Sequence, residues 1–234
     1  MAWFDNAIAQ AVFWSLATIG FYILARKLHR RWQHGWLTPL LVTPVILIGL
    51  ALMLHESYGA YIRGTGWLVT LLGPTMVAFA VPIYEQRKFI YRHWPVLAVG
   101  AVAGSITAMV TGWCLATFLG LDGALRLSLL PRSISTPFAM EVSGDIGGIP
   151  DLTAVFVVVT GVFGAVLGEI MLARMPVSST LARGAALGMG AHGAGTAKAH
   201  EIGTEEGSVA GLIMVLVGLL NVLIAPVIAY CLRG

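Results

Sequence analysis

Charge is scarce in this 234-residue chain: only 11% of its residues are Asp, Glu, Lys or Arg, under half the ~25% typical of a soluble globular domain. So few charges cannot cover a water-facing surface, which excludes a soluble fold. Cysteine is nearly absent too. Cys114 and Cys231 both sit in apolar runs, which offers no disulfide framework and reads as two small hydrophobes. Patterns of catalysis are also missing. His200-Glu201 is followed by Thr204 where a metalloprotease helix would carry its second histidine, and GAGTAK lacks the phosphate-loop spacing. Gly188-x-Gly190-x-x-Gly193 matches the dinucleotide fingerprint as a string, but no strand–helix–strand unit surrounds it. The chain is therefore expected to be no enzyme, with no catalytic residue, cofactor or metal site. Its net charge of +3 sits at the ends of apolar runs rather than along one face, so nucleic acid is not an expected partner.

What fills the chain is apolar surface: 58% of residues are hydrophobic and the mean hydropathy is +0.85. Uncharged runs cover 6–25, 32–55, 64–84, 93–121, 152–168 and 207–232, and ~20 residues of helix cross a bilayer core. The expected fold is an all-α polytopic membrane protein with about six spanning helices and two re-entrant or broken helical elements. Arg26, Lys27, Arg30 and Arg31 follow the first run and Arg87, Lys88 and Arg92 the third, whereas Asp5 precedes the first and Glu56 offsets Arg63. The positive-inside rule then puts the N-terminus outside and both basic clusters in the cytoplasm. The first run lacks a basic segment ahead of it and is long enough to span, so it is expected to stay as an anchor.

One pattern occurs twice. TPFAMEVSGDIGG (136–148) and TAKAHEIGTEEGS (196–208) share a plan at a constant offset of sixty residues: Thr136 with Thr196, Glu141 with Glu201, Asp145 with Glu205, Gly147 with Gly207, each copy followed by an apolar run. Duplicated charges in apolar surroundings mark the substrate region of a transporter. The chain divides on this reading into a four-helix scaffold, 1–121, and a transport region, 122–234, with units 122–175 and 182–232. Pro74 and Pro82, inside the third apolar run, predict kinks there.

Segment 122–149 holds Arg126, Arg132, Glu141, Asp145, Pro131 and Pro137, too polar and too broken for a lipid-facing helix. Irregular backbone at membrane depth must be buried in protein or line a wet cavity. Two geometries are open. A broken helix could cross once, making the repeats parallel. A re-entrant hairpin could instead dip and return: two arms of about ten residues reach ~15 Å, half of a ~30 Å core, with tips at 132–137 and 192–196. The hairpin leaves Arg174 and Arg183 cytoplasmic, as the positive-inside rule prefers. Each unit then crosses an odd number of times, which makes an inverted repeat.

Candidate binding residues follow from the tips. Arg132 is costly at membrane depth, ~2.5–3.5 kcal/mol on insertion scales, and is kept there for an ion pair or for an anion. Ser133, Ser135, Thr136 and Pro137 stand beside it, where hydroxyls and a half-helix N-terminus could cradle an anion or simply cap the arm. His192, Gly193, Gly195, Thr196 and Lys198 make up the second tip, with glycines that admit either a ligand or a packed helix. Glu141, Glu201 and His192 are the proton-coupling candidates, the carboxylates through their duplicated place and histidine through its titration near neutrality. Solvated carboxylates and a hydrogen-bonded histidine are the plainer alternatives.

The strings LLPRSISTPFAM, GDIGGIP, MGAHGAGTAKAHE and GPTMVAFAVPIYEQ resemble the LrgB/CidB family of membrane proteins in order and spacing over nearly the whole chain. The plant member of that family resembles a fusion of an LrgA-like and an LrgB-like part and exchanges glycolate and glycerate across the plastid envelope. Bacterial relatives have been linked to pyruvate uptake and to control of murein hydrolases and lysis. The resemblance covers the LrgB part alone, so it implies a separate small LrgA-like membrane partner and a place in the bacterial cytoplasmic (inner) membrane; a homo-oligomer is also expected, and a small hydroxy- or keto-monocarboxylate fits Arg132, Lys198, a half-helix N-terminus and the hydroxyls of the first tip. It leaves two function classes open: a secondary carrier of small monocarboxylates, and a holin-like regulator of wall hydrolases.

Overall fold

The computed structural model describes residues 7–32 and 37–233; Asp5, which entered the topology reading, lies outside them. Among the described residues there is no strand, and the protein is all-α and polytopic. Helices run α1 Ala7–Arg31, α2 Pro39–Met53, α3 Tyr58–Thr70, α4 Leu72–Ala78, α5 Ala80–Glu85, α6 Arg87–Phe118, α7 Gly123–Leu129, α8 Thr136–Ile146, α9 Pro150–Arg174, α10 Thr180–Ile202 and α11 Thr204–Arg233, with a 3-10 turn, Leu130–Ser133, between α7 and α8.

Five helical stretches are long and apolar enough to cross a bilayer: Ile8–Arg31, Tyr58–Glu85, Arg87–Phe118, Pro150–Arg174 and Thr204–Cys231. The sixth expected span is shorter than its uncharged run. Pro39 opens α2 and the chain leaves it at Met53, giving 15 residues, about 22 Å at 1.5 Å per residue against a core of ~30 Å. The third stretch is broken as its prolines predict. Pro74 and Pro82 lack the N–H that would bond the carbonyls four residues back, at Thr70 and Ala78, and the helix is interrupted at Leu71 and Phe79 immediately after them.

Two compact units divide the chain, 1–74 and 75–234. In the first, Gly64 on α3 lets the helix approach α1 at Ala11 and Trp14. The seam is tied by Ser15 Oγ donating to the Gly64 carbonyl (3.0 Å) and Trp67 Nε1 donating to Ser15 Oγ (2.8 Å). Trp14 is fully buried there, edge-on to Tyr61 at 5.4 Å.

The second unit is organised by two hairpins. Segment 123–146 turns back on itself: Ser128, at the end of α7, accepts from the Ile149 N–H (2.7 Å), and Thr153 Oγ1 lies 2.9 Å from the Ser128 carbonyl and 2.7 Å from Ser143 Oγ. Gly147 ends α8 at φ 90°, a left-handed cap that glycine adopts without penalty. Residues 128 and 149 could not meet if this stretch crossed the membrane once. α10 does the same. His192 breaks it at φ 38°, and Gly195 then packs on the Leu187 carbonyl and Ala191, whereas eight residues of continuous helix would separate 187 from 195 by about 12 Å. The ends of this second hairpin are joined by the Arg183–Glu206 ion pair at 4.0 Å.

α9 orders the two hairpins. Ser143 and Ser128 meet its N-terminal turn. The other hairpin lies along its middle and C-terminal half, where Gly161 approaches His192, Gly164 approaches Gly190 and Ala191, and Gly168 approaches Leu187. Lys198 Nζ pairs with Glu169 at 2.9 Å. The hairpins thus open at opposite ends of one spanning helix and extend toward its middle, which is an inverted arrangement. Phe138, wholly buried between Phe79 and Gly218 of α11, and Asn221, whose Nδ2 donates to Ser105 Oγ of α6 at 2.9 Å, fasten the remaining helices around them.

Candidate functional site

The hairpin tips touch. The turn at 130–133 packs against α10, with the His192 ring beside the main chain of Arg132, and His192 Cε1 would stand 2.6 Å from a Cβ placed on Gly161, so the contact lies beside the middle of α9. Arg132 and His192 are sixty residues apart, the offset of the repeat itself. The two units therefore meet through equivalent positions, as residues near a two-fold axis do. Sequence reading matched identical or similar residues across the offset and passed over this pair of different ones; the arithmetic was available.

Burial and hydrogen bonding then single out three atoms. Within 75–234, the buried side-chain nitrogen and oxygen atoms without a hydrogen-bond partner among the described residues are Arg132 Nε, Ser135 Oγ and His192 Nε2. Each such atom costs about 1–3 kcal/mol, and all three lie on the two tips that meet. Ser135 is the N-cap residue of α8 yet its side chain caps nothing, and Pro137 follows at the start of the helix. The first N–H groups of α8 consequently face the tip region with the positive end of the helix dipole. An ion pair is not the explanation for Arg132. The four ion pairs among the described residues are Arg126–Asp122, Arg183–Glu206, Lys198–Glu169 and Lys198–Glu201.

His192 is also strained. Its φ of 38° is rare for a residue with a side chain, and it has glycine as its next neighbour. A glycine would hold this turn at lower cost, and residues kept in such conformations concentrate at functional sites. It is 5% exposed.

The other sequence candidates fall in different places. Ser133, Thr136 and Pro137 are half-buried at the first tip. At the second, Thr196 Oγ1 donates to the His192 carbonyl (2.9 Å) and supports the strained turn; Gly193 is exposed, and Gly195 is buried as a packing contact. Lys198 is not with them. It sits between Glu169 (2.9 Å) and Glu201 (2.8 Å), its charge answered twice. Glu141 and Glu201 are both exposed. The buried carboxylate is instead Glu206, 7% exposed, which sequence reading passed over in favour of its neighbour Glu205. No cluster of three His, Cys, Asp or Glu able to hold a metal occurs among the described residues.

Such a place can take a small anion that supplies the missing partners: a guanidinium N–H, uncapped helix N–H groups, a hydroxyl and an imidazole nitrogen, in surroundings that are otherwise apolar.

Comparison with known proteins agrees with the resemblance seen in the sequence. The model of the LrgB-like family matches residues 18–231. The protein YwbG of Bacillus subtilis, uncharacterized, is 37% identical over 89% of this chain and 93% of its own length. The holin-like protein CidB of Staphylococcus epidermidis is 30% identical over 95% and 97%. An uncharacterized protein of Haemophilus influenzae is 35% identical over 90% and 91%. No solved structure matches significantly. With its long apolar helices and these relatives, the protein is a multi-pass bacterial membrane protein.

Proposed function

We propose that this chain, which belongs to the LrgB-like family, is a secondary carrier of small monocarboxylates of the glycolate, glycerate or pyruvate kind. The observation that carries the reading is the set of three unpartnered buried polar atoms on the meeting tips of two oppositely inserted hairpins. Arg132 takes the carboxylate, with Ser135 and the α8 N-terminus completing the cradle; a planar guanidinium suits a planar carboxylate. A site between two inverted repeats is what alternating access needs, because rocking one repeat against the other exposes it to either side. Ser133, Thr136 and Thr196 shape the tips rather than meet the anion first.

Proton coupling accompanies this proposal, since importing an anion against a negative-inside potential costs ~2.3 kcal/mol per charge per 100 mV. His192 is its best candidate, being buried at the site where Glu141 and Glu201 are exposed. A separate LrgA-like small membrane protein is the proposed partner.

The second reading, a holin-like regulator of murein hydrolases, draws on the printed name of the staphylococcal relatives. Pore assembly would not require Arg132 and His192 at a shared buried contact. The discriminating experiment is counterflow in proteoliposomes with labelled C2–C4 monocarboxylates, with and without a pH gradient and with and without an LrgA-like protein. Saturable exchange lost in Arg132→Ala supports the carrier. Absence of exchange under every condition, with lysis still altered in cells, supports the regulator.

A further inference from the structure

A groove runs between α6 and the first arm of the second hairpin, away from the site at the tips. Leu97 of α6 and Ile213 of α11 form its buried floor, Leu181 and Met189 of α10 its half-buried wall, and Val96 and Gly100 of α6 its exposed rim. It encloses about 440 Å³. Spread over the ~12 Å that α10 rises from Leu181 to Met189, this volume is about 7 Å wide. A helix, ~10–12 Å across with its side chains, is too thick for it; a single hydrocarbon chain is not. Among its described lining residues Ser179 alone is polar, and its hydroxyl already accepts from the Ala182 N–H (3.4 Å), so a small carboxylate finds no cradle there.

The groove lies within one leaflet. Arg87, Lys88 and Arg92 mark the start of α6 as cytoplasmic, and Tyr91 and Trp94, 82% and 62% exposed, are aromatic residues of the kind that sit at headgroup level. Val96 and Gly100 follow Arg92 by about one and two turns on the same face of the helix, ~6 and ~12 Å deeper, inside the ~15 Å of one leaflet's hydrocarbon. Arg92 therefore stands over the mouth of the groove. It is exposed and enters none of the ion pairs among the described residues. Helical side chains lean toward the N-terminus, here toward the headgroups. We propose that this groove seats an anionic phospholipid of the cytoplasmic leaflet, with one acyl chain between α6 and α10 and the headgroup phosphate on Arg92. Apolar contact supplies the seat and is indifferent to the headgroup. The guanidinium selects the charge, because it donates to phosphate in a fork and basic residues between spanning helices on the cytoplasmic side hold anionic headgroups. One such residue near the surface corresponds to about fivefold in affinity.

Native mass spectrometry of the purified full-length protein in detergent, with phosphatidylglycerol and phosphatidylcholine of identical chains at equal concentration, reads both features. One phosphatidylglycerol should be retained about fivefold over phosphatidylcholine. Arg92→Gln should bring the two lipids level, while Arg26→Gln, which removes a charge near the end of α1, should leave the preference in place. Gly100→Leu should displace both lipids, because a Cβ at Gly100 meets nothing within 4 Å and the longer side chain takes up the groove. Arg92 is exposed, so its replacement stays informative if Gly100→Leu fails to fold. Equal retention of the two lipids by the wild type, or a preference that survives Arg92→Gln, overturns the proposal. So does a folded Gly100→Leu variant that keeps its lipid; loss of a dimer in that variant would assign the groove to a second copy of the chain instead.

Discussion

The two hairpins share a plan and are held by different forces. The first closes on neutral hydroxyls, with Ser128, Ser143 and Thr153 joined to one another and to the main chain at the start of α9. The second closes on ions at its mouth, Arg183–Glu206 and Lys198–Glu169, and on a glycine seam along α9 and α11. The tips diverge as well: an arginine beside an uncapped helix start faces a histidine in a strained turn. A duplicated fold can thus keep its geometry while its two halves become chemically different, one offering a guanidinium and helix N–H groups and the other an imidazole. That asymmetry is what a single, oriented small molecule between them requires.

The comparison breaks most visibly at the tips. Replacing Arg132 by Ala should lower monocarboxylate exchange about 100-fold, the loss of a charge-assisted hydrogen-bonded pair, while Lys keeps charge without the fork and should fall between. Exchange in proteoliposomes at matched protein content checks this. Parental rates in both folded variants would remove Arg132 from the site.

The seam comes next. Gly188 lies against the Ala210 backbone, where an added Cβ would stand 2.8 Å from Cα. Gly188→Val should destabilise the second hairpin by about 3 kcal/mol, as overpacking does, seen as a lower melting temperature in detergent. A smaller effect awaits the first hairpin. Ser128→Ala removes the acceptor of the Ile149 N–H but leaves Thr153 bonded to the main chain, so the loss should be about 1 kcal/mol, near the average for hydrogen bonds in membrane proteins. Least of all should follow from Lys198→Met, which opens ion pairs whose carboxylates are more than half exposed. Such pairs contribute ~0–1 kcal/mol and are screened by salt, so wild type and variant should converge in stability at high ionic strength.

Much of this was legible in the sequence because membranes impose simple rules. Uncharged runs gave the long helices, Pro74 and Pro82 marked the two interruptions, and a polar, proline-broken segment with a glycine-rich counterpart sixty residues on located both hairpins while leaving a single crossing open. What escaped depends on a neighbour's position. Periodicity cannot tell Glu205 from Glu206, yet α11 turns the second inward and the first outward. Lys198 looked like an anion ligand by its nearness to the tip, but six residues of arm carry it to Glu169 on another helix. Pro39 shortened the second helix although its uncharged run was long enough to span. Glu141 and Glu201 are repeated at the sixty-residue offset and nonetheless face outward, because a repeat preserves register and says nothing of burial.

Opposite insertion of the hairpins is the claim on which the site depends, and side-specific labelling tests it. With Cys114 and Cys231 replaced by serine, single cysteines at Ala124, Asp151, Ser178 and Thr204, all exposed and near the hairpin mouths, would be treated with a membrane-impermeant maleimide in intact cells and in inverted vesicles. The expected result is that 124 and 151 react from one side only, while 178 and 204 react only from the other. Reaction of 124 and 151 from opposite sides would mean that the first segment crosses the membrane, and would contradict the account.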